Sequence, residues 1–273
     1  MKLSCLVDNT VGSRSSFWGE HGVAFLIESE DGRILFDTGA SGVVLLHNMD
    51  AAGVAPESIS ALALSHAHDD HTGGLAAFLE RRPGLPIYAH PGILRQRFSR
   101  RGGQMQSIGL PLGAEALGRL ADLRFSDAPQ EMVPGVWTTG EIYQRDDPEG
   151  RSTHHFVREG EAWVPDPYQD DMSLVMEGSE GLVLVCGCCH AGLLNTLAHV
   201  RQRFGRDPVA VVGGTHLLNA DEAHLRRLVD VLRRLGPPDL FPNHCTGQAA
   251  YVVLAQALGD RVAPCLAGTV LEF

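Results

Sequence analysis

A dense group of histidine and aspartate residues lies about a quarter of the way along the chain. The stretch Ser65–His71 reads Ser-His-Ala-His-Asp-Asp-His and is followed by Thr-Gly-Gly. Histidine is not a common core residue, and a buried charge is costly unless it is paired or bound to a metal ion. Neutral imidazole is a common ligand of zinc and iron. The stretch therefore predicts a metal site formed by His66, His68, Asp70 and His71.

The flanking sequence predicts the elements that position this cluster. Ile59–Leu64 is a short apolar run that indicates a buried strand, although periodicity alone leaves a helix open. The first two histidines follow it two residues apart, so in an extended loop both can face one point. The apolar run Leu75–Leu79 indicates a helix, which places Asp70 and His71 near its N-terminus. One short loop could therefore hold two ions side by side.

The pattern His-x-His-x-Asp-His resembles the signature of the metallo-β-lactamase superfamily, whose members typically hold one or two zinc, iron or manganese ions between two β-sheets. Ile34–Gly39 resembles the first motif of that family. Further segments resemble a subfamily often called metal-dependent hydrolases, namely Asp8-Asn9, Glu20–Gly22, Gly187–Gly192, Gly213–Leu217 and His244–Gly247. The resemblance implies an α/β fold, a four-layer αββα sandwich of two mixed sheets flanked by helices.

The resemblance also implies a role for individual side chains. His190 would bind the first ion and His244 the second, although each could be an ordinary histidine at a helix N-terminus. Asp70 would bind the second ion and also act as general base on the attacking water. Asp37 would orient a ligand without touching metal. The site would hold one or two divalent ions, with zinc as the first expectation and manganese or iron as alternatives.

Two positions depart from the superfamily pattern. Cys188 stands where many members carry a bridging aspartate; its thiolate could bind zinc, or it could be a buried, inert thiol. The histidine of the third motif is replaced by Tyr168–Asp171, in which Asp170 or Asp171 could supply an oxygen ligand. His216 is a candidate for substrate contact or proton transfer.

Candidate substrate-binding residues follow His244 in the sequence. Thr246 and Gly247 are expected to open a helix, whose free N–H groups and hydroxyl suit a phosphate or carboxylate; an ordinary N-cap is the alternative. His154-His155 could reach over the site or lie exposed. The residues that could line the mouth from the N-terminal side are Asp8, Asn9, Glu20 and His21.

Composition limits the remaining possibilities. The 273 residues with 44% hydrophobic content allow one domain over 1–273, with a loop-rich insertion at about 91–170 that either covers substrate or is a variable surface loop. A net charge of −11 argues against nucleic acid as a partner. No apolar run is long enough to span a bilayer and the start meets charge early, so a cytoplasmic protein without a membrane partner is expected. The oligomeric state is not predicted.

Three functions are compatible with these features. The leading hypothesis is a metal-dependent hydrolase in which a metal-activated water attacks a small, anionic or phosphorylated substrate. The second is a transferase like the named member of the subfamily, a dihydropterin-methyl-ribofuranosyl-aminobenzene-phosphate synthase, in which the same ions hold a diphosphate leaving group. The third is a non-enzymatic metal or redox sensor that uses Cys186, Cys188 and Cys189 with His190.

Overall fold

The computed structural model describes residues 1–273 and contains seventeen strands and seven α-helices. The strands are β1 (Lys2–Val7), β2 (Ala24–Ser29), β3 (Gly32–Phe36), β4 (Ala61–Ala63), β5 (Leu85–Ala89), β6 (Arg97–Arg101), β7 (Gln104–Ser107), β8 (Ala121–Phe125), β9 (Glu131–Val133), β10 (Val136–Thr138), β11 (His155–Glu159), β12 (Ala162–Pro165), β13 (Ser173–Glu177), β14 (Leu182–Cys186), β15 (Pro208–Gly214), β16 (Asp239–Asn243) and β17 (Val270–Glu272).

The helices are α1 (Gly42–Ala51), α2 (Asp69–Thr72), α3 (Leu75–Arg81), α4 (Ala114–Leu120), α5 (Leu193–Phe204), α6 (Glu222–Leu235) and α7 (Gln248–Leu258). None of them combines the length and the apolar character that a bilayer-spanning helix needs.

Two large sheets form the centre of the molecule. One has the strand order β17-β1-β2-β3-β4-β5-β8 and the other β16-β15-β14-β13-β10-β9. Successive side chains of a strand point to opposite faces, and both faces of these strands are apolar. In β14, for example, Val183 and Val185 pack between the sheets, whereas Leu182 and Leu184 pack against the outer helices. Each sheet therefore buries both faces.

The helices cover the two outer faces. Helices α1, α3 and α4 contribute apolar side chains to the core behind the first sheet, and α5, α6 and α7 do the same behind the second sheet. A third apolar cluster lies between the sheets and joins residues of both. The order of layers is helix, sheet, sheet, helix, which confirms the αββα sandwich expected from the sequence.

Parallel strands in both sheets end at the same edge of the sandwich. β3, β4 and β5 run parallel in the first sheet, as do β14, β15 and β16 in the second. Ligand sites in open α/β sheets lie outside the carboxyl ends of such strands. The segments that follow β4, β14, β15 and β16 carry His66–His71, Gly187–His190, His216 and His244, so the fold brings them to one edge.

Residues 91–170 are more regular than the loop-rich insertion expected from the sequence. β8 belongs to the first large sheet and β9 and β10 to the second, while β6, β7, β11 and β12 form a separate four-stranded sheet. The expectation of two sheets alone is therefore incomplete. The sequence conceals this third sheet because its strands are short and rich in polar residues, most of them exposed in Gln104–Ser107, so they lack an apolar alternation.

The two-sided burial of β14 predicts a large difference between two valine-to-alanine substitutions. Val185→Ala removes methyl groups from the fully buried layer between the sheets and should lower the free energy of unfolding by about 2 kcal/mol. Val43→Ala, on the exposed side of α1 where Val43 is 70% exposed, should change it by less than about 0.5 kcal/mol. Urea denaturation measures both, and equal effects would contradict this layer assignment.

Candidate metal centre

Three imidazoles converge at the edge where the parallel strands end. The ligand nitrogens of His66, His68 and His190 all lie within 4.8 Å of one another, and all three residues are buried. The Nε2 atom of each has no hydrogen-bond partner in the protein. Since buried polar atoms are nearly always hydrogen-bonded, three unpartnered nitrogens at one point fit a shared divalent ion. We refer to these residues as the first ligand group.

The surroundings leave these nitrogens unprotonated. His190 donates from Nδ1 to the carbonyl oxygen of Gly150 at 2.8 Å, which leaves Nε2 with a free lone pair. His66 Nδ1 lies 2.9 Å from the hydroxyl oxygen of Ser65. Burial, followed by the neighbouring imidazoles, holds the pKa of His66 and of His190 well below the usual range. Neutral imidazole is the form that binds metal.

Asp70, His71, Cys188 and His244 form a second ligand group beside the first. The Oδ2 atom of Asp70 lies 3.3 Å from His244 Nε2 and 3.9 Å from His71 Nε2. The Cys188 sulfur lies 3.2 Å from His71 Nε2. Burial raises the pKa of Asp70, but His71 and His244 outweigh it and leave that pKa well below its usual range. The group therefore offers an anionic oxygen, two imidazoles and a sulfur.

Asp37 and Asn9 orient the imidazoles of this group. The Asp37 carboxylate is buried, accepts the Ser65 N–H and hydroxyl at 2.7 Å each, and lies 2.7 Å from His71 Nδ1. The side-chain oxygen of Asn9 lies 2.9 Å from His244 Nδ1. Each contact places the proton on Nδ1 and leaves Nε2 free, which is how carboxylates and carbonyls support metal-binding histidines. Asp37 thus occupies the orienting position that the sequence suggested.

Asp170 uses both carboxylate oxygens inside the protein. One accepts the backbone N–H of Ala67 at 3.0 Å, and the other lies 2.7 Å from the Arg97 guanidinium. Arg97 is itself buried and also pairs with Asp166 at 2.8 Å. Asp170 therefore holds the loop between His66 and His68 in place and has no free oxygen to offer an ion.

Asp171 is placed differently from its neighbour. One of its oxygens accepts the Ala191 N–H at 2.8 Å, whereas its buried Oδ1 has no partner. Burial raises the pKa of Asp171 to about 6. The carboxyl lies next to the Gly187–His190 turn but does not join either ligand group.

His216 faces the first ligand group from the end of β15. Its ring lies 4.2 Å from the His190 ring, centre to centre, and its backbone adopts a left-handed φ of 46°. Burial, aided by His155, lowers the pKa of His216 to about 4. His216 is therefore neutral near pH 7 and can offer an N–H without a full charge.

Thr246 and Gly247 lie differently from the helix start predicted for them. His244–Thr246 forms a 3₁₀ turn, and α7 begins at Gln248 with Gly247 at the N-cap position. The Thr246 hydroxyl oxygen accepts the Thr215 N–H at 3.2 Å and lies 2.9 Å from the Thr215 hydroxyl. The predicted hydroxyl contact with substrate thus competes with an internal bond, while the N–H groups of the first turn of α7 stay available.

The two ligand groups open into a cavity of about 810 Å³. Asp8, Asn9 and His21 line it, as expected, whereas the Glu20 carboxylate instead accepts hydrogen bonds from Ala40 and Ser41. The charged residues of the lining include one arginine, Arg101, and no lysine.

His155 and Tyr168 contact each other beside the first ligand group. The sequence left open whether His155 reaches the site; it lines the cavity wall, and its Nδ1 lies 2.8 Å from the Tyr168 hydroxyl. Tyr168 is buried and stacks on His190 at 4.1 Å between ring centres. The sequence did not predict this stacking, because Tyr168 has a left-handed φ of 49° that only the folded backbone reveals. His154, in contrast, is exposed.

The clustered cysteines do not form one site. Cys186 and Cys189 pack in the apolar core between the second sheet and its helices. Cys188 alone of the three faces a ligand group. The predicted sensor group of Cys186, Cys188 and Cys189 with His190 is therefore wrong in its composition, because the side chains of Cys186 and Cys189 pack into the apolar core while that of Cys188 faces the ligand groups.

Comparison with known proteins identifies the family. A family model described as the metallo-beta-lactamase superfamily matches residues 18–244, a span that contains both ligand groups. The chain belongs to the metallo-β-lactamase superfamily. Members of this superfamily bind divalent metal ions, and the relatives of this chain are enzymes, as the two ligand groups lead one to expect.

Relatives within the superfamily cover the whole chain. A 7,8-dihydropterin-6-methyl-4-(β-D-ribofuranosyl)-aminobenzene-5′-phosphate synthase of Methanocaldococcus jannaschii is 32% identical, over 100% of this chain and 97% of the relative. The crystal structure of Tm1679, a metal-dependent hydrolase of the β-lactamase superfamily, matches with a TM-score of 0.86 and 28% identity, over 100% and 99% of the two chains. YhfI of Bacillus subtilis, at 13% identity and a TM-score of 0.59 over 99% of each chain, shares the fold.

The contacts of Asp37 predict the effect of replacing its carboxylate with an amide. In Asp37→Asn, the new NH₂ group must face a donor, either the Ser65 N–H and hydroxyl or His71 Nδ1. His71 is then pushed towards the tautomer that carries its proton on Nε2, and zinc affinity should fall by about 10- to 100-fold. A chelator competition titration measures this change, with the exposed Asp31→Asn as control. Unchanged affinity would contradict the orienting role.

The buried ion pairs of Arg97 predict a loss of stability. Arg97→Met leaves the Asp166 and Asp170 carboxylates buried without their cation, and should lower the free energy of unfolding by about 3–5 kcal/mol. Arg95→Met removes a pair with Glu159 that is partly exposed and should cost no more than about 1 kcal/mol. Chemical denaturation distinguishes the two, and similar values would contradict the assigned role of Arg97.

Proposed function

We propose that this protein is a metal-dependent hydrolase that acts on a small anionic or phosphorylated substrate. His66, His68 and His190 would hold a first divalent ion, and Asp70, His71 and His244 a second, with Cys188 as a further ligand. The observation that carries the proposal is the set of three buried, unpartnered imidazole nitrogens, of which those of His68 and His190 belong to residues that line the cavity, as does the anionic Asp70. Zinc suits this nitrogen- and sulfur-rich set best, and iron or manganese is the alternative.

The ion, Asp70 and His216 would each have a different role in the reaction. A divalent ion held by these ligand groups would lower the pKa of bound water to about 7 and supply the nucleophile at neutral pH. Asp70 is ionised and borders the cavity, so its carboxylate can accept a hydrogen bond from the attacking water and take its proton. His216 can donate a neutral N–H to the negative charge that develops on the substrate oxygen.

The cavity wall supports an anionic substrate with an organic part. Arg101 provides a cation, and the N-terminus of α7, at Gly247 and Gln248, provides backbone donors of the kind that bind phosphate. The net charge of −11 disfavours a polyanion such as nucleic acid, so a small molecule is the proposed partner. Apolar side chains that could contact its organic part are Ile108, Leu218, Tyr251, Pro264 and Leu266.

A second candidate is group transfer with release of diphosphate. It is favoured by the 32% identity, over the whole chain, with the synthase from Methanocaldococcus jannaschii. In such a transfer the amino nitrogen of an aminobenzene acceptor would replace water as nucleophile and lose a proton, while the carbon–oxygen bond to diphosphate breaks. The cavity of about 810 Å³ lies in the upper part of the ~300–1,000 Å³ range of small-molecule pockets, which leaves room for an acceptor beside a donor.

The hydrolase proposal predicts metal-dependent turnover that requires Asp70. Purified protein should hydrolyse at least one member of a panel of phosphoesters, lactones and thioesters, and a chelator should abolish the activity. Asp70→Asn removes the proton acceptor and should lower kcat by about 10²- to 10⁴-fold. His224→Ala, at a partly exposed histidine on α6 outside the cavity lining, should leave kcat unchanged. Full activity in Asp70→Asn would contradict the assignment.

The two candidate reactions are separated by one comparison. A dihydropterin methyl diphosphate is incubated with and without a ribofuranosyl-aminobenzene phosphate, and the products are identified by mass spectrometry. Hydrolysis predicts the pterin alcohol whether or not the acceptor is present. Transfer predicts diphosphate release only with the acceptor, together with the condensed product. The absence of any reaction on this donor, with turnover on another panel member, would exclude the transferase.

A further inference from the structure

A second cysteine lies against the second ligand group. Cys245 follows His244 in the turn after β16, and Cys188 lies in the turn after β14. The two sulfurs and the His244 ligand nitrogen all lie within 4.8 Å of one another, and all three residues are buried. The sequence drew attention to Cys188 but not to Cys245, because 56 residues separate the two cysteines.

The backbone fixes the position of the Cys245 sulfur from two sides. The backbone N–H of His216 donates to the Cys245 sulfur at 3.3 Å. The same sulfur lies 3.5 Å from the carbonyl oxygen of Cys188, to which a thiol at Cys245 donates. Gly214 makes room for the sulfur, because a Cβ at that position would lie 2.6 Å from it. The sulfur is thus held between the end of β15 and the Cys188 turn.

We propose that the second ion is bound by two thiolates, those of Cys188 and Cys245, together with His244. This inference rests on the proposed metal centre and specifies the chemistry of its second position. Thiolate ligands are soft and favour zinc, whereas manganese and magnesium prefer oxygen ligands. The second position is therefore selective for zinc, although the Asp70 carboxylate lies beside it.

The arrangement also separates the two roles assigned to Asp70. Cys188 and Cys245 are buried, whereas Asp70 is only partly buried. The ligand set proposed here replaces Asp70 and His71 in the set given under the proposed function, because two thiolates already balance the charge of a divalent ion. The carboxylate is then free to face the cavity and accept a proton from the attacking water.

Cys189 offers a matched control beside Cys188. Its sulfur lies 3.2 Å from the hydroxyl of Thr196 on α5, in the core behind the second sheet. It is buried to the same degree as Cys188 but faces the opposite side of the turn. A Cys189→Ser substitution therefore perturbs the same turn without removing a proposed ligand.

Cobalt substitution tests the proposal with an optical readout. Full-length protein is stripped with a chelator and reloaded with cobalt(II), and bound cobalt is counted by elemental analysis. A near-ultraviolet sulfur-to-cobalt charge-transfer band is expected in the wild type. Its intensity per chain should fall by about half in Cys188→Ser and in Cys245→Ser, since two equivalent thiolates contribute to it. The band should be absent in the double variant and unchanged in Cys189→Ser.

Metal selectivity and cadmium NMR provide independent readouts. Cys245→Ser should lower zinc affinity by at least about tenfold and manganese affinity by much less, because only the soft ligand is lost. Cadmium-loaded wild-type protein should give a resonance in the range of two-sulfur coordination, separate from the resonance of an ion held by the three imidazoles of the first ligand group. This readout requires no variant to fold, and the absence of any resonance in the two-sulfur range would overturn the proposal.

The outcomes separate this inference from the proposed function. An undiminished charge-transfer band in Cys245→Ser shows that Cys245 is not a ligand and overturns the inference. Bound cobalt without any charge-transfer band overturns it as well, while the metal-dependent hydrolase proposal stands. Failure of the wild-type protein to bind cobalt would overturn both proposals together.

Discussion

The structure depends on a group of buried imidazoles that the protein itself does not satisfy. The Nε2 atoms of His66, His68 and His190 lie close together, and none of them has a hydrogen-bond partner in the protein. An unsatisfied buried polar group costs about 1–3 kcal/mol, so such a cluster is unfavourable until an ion binds it. Metal binding and the stability of this edge of the sandwich are therefore coupled.

Neighbouring polar groups hold the metal-binding imidazoles of the site in place. Gly150 and Asn9 fix the tautomers of His190 and His244, and Asp37 does the same for His71. Each of these contacts joins elements far apart in the sequence, because the ligands lie at the ends of strands from both sheets. The αββα sandwich supplies a rigid edge at which several strand ends meet, as a metal site with narrow geometric limits requires.

The sequence predicts the parts of the site that are local. His66–His71 carries its spacing within one loop, and the apolar runs around β4 and β14 reveal buried strands. The interactions that depend on topology could not be predicted in this way. Asp170 accepts a hydrogen bond from the Ala67 N–H, 103 residues away in the sequence, and its partner Arg97 lies on a strand without apolar alternation. The stacking of Tyr168 on His190 also could not be predicted from the sequence.

The binding of two ions at this edge is tested most directly by the metal content of the protein. Untagged protein is purified without chelator or added metal, and bound metal per chain is counted by elemental analysis for the wild type and for His190→Ala. We expect about two equivalents of divalent metal, chiefly zinc, in the wild type, and the loss of about one equivalent in the variant, because the first ligand group then keeps two of its three imidazoles. Wild-type protein that retains no metal, and binds none when zinc is added, would contradict it.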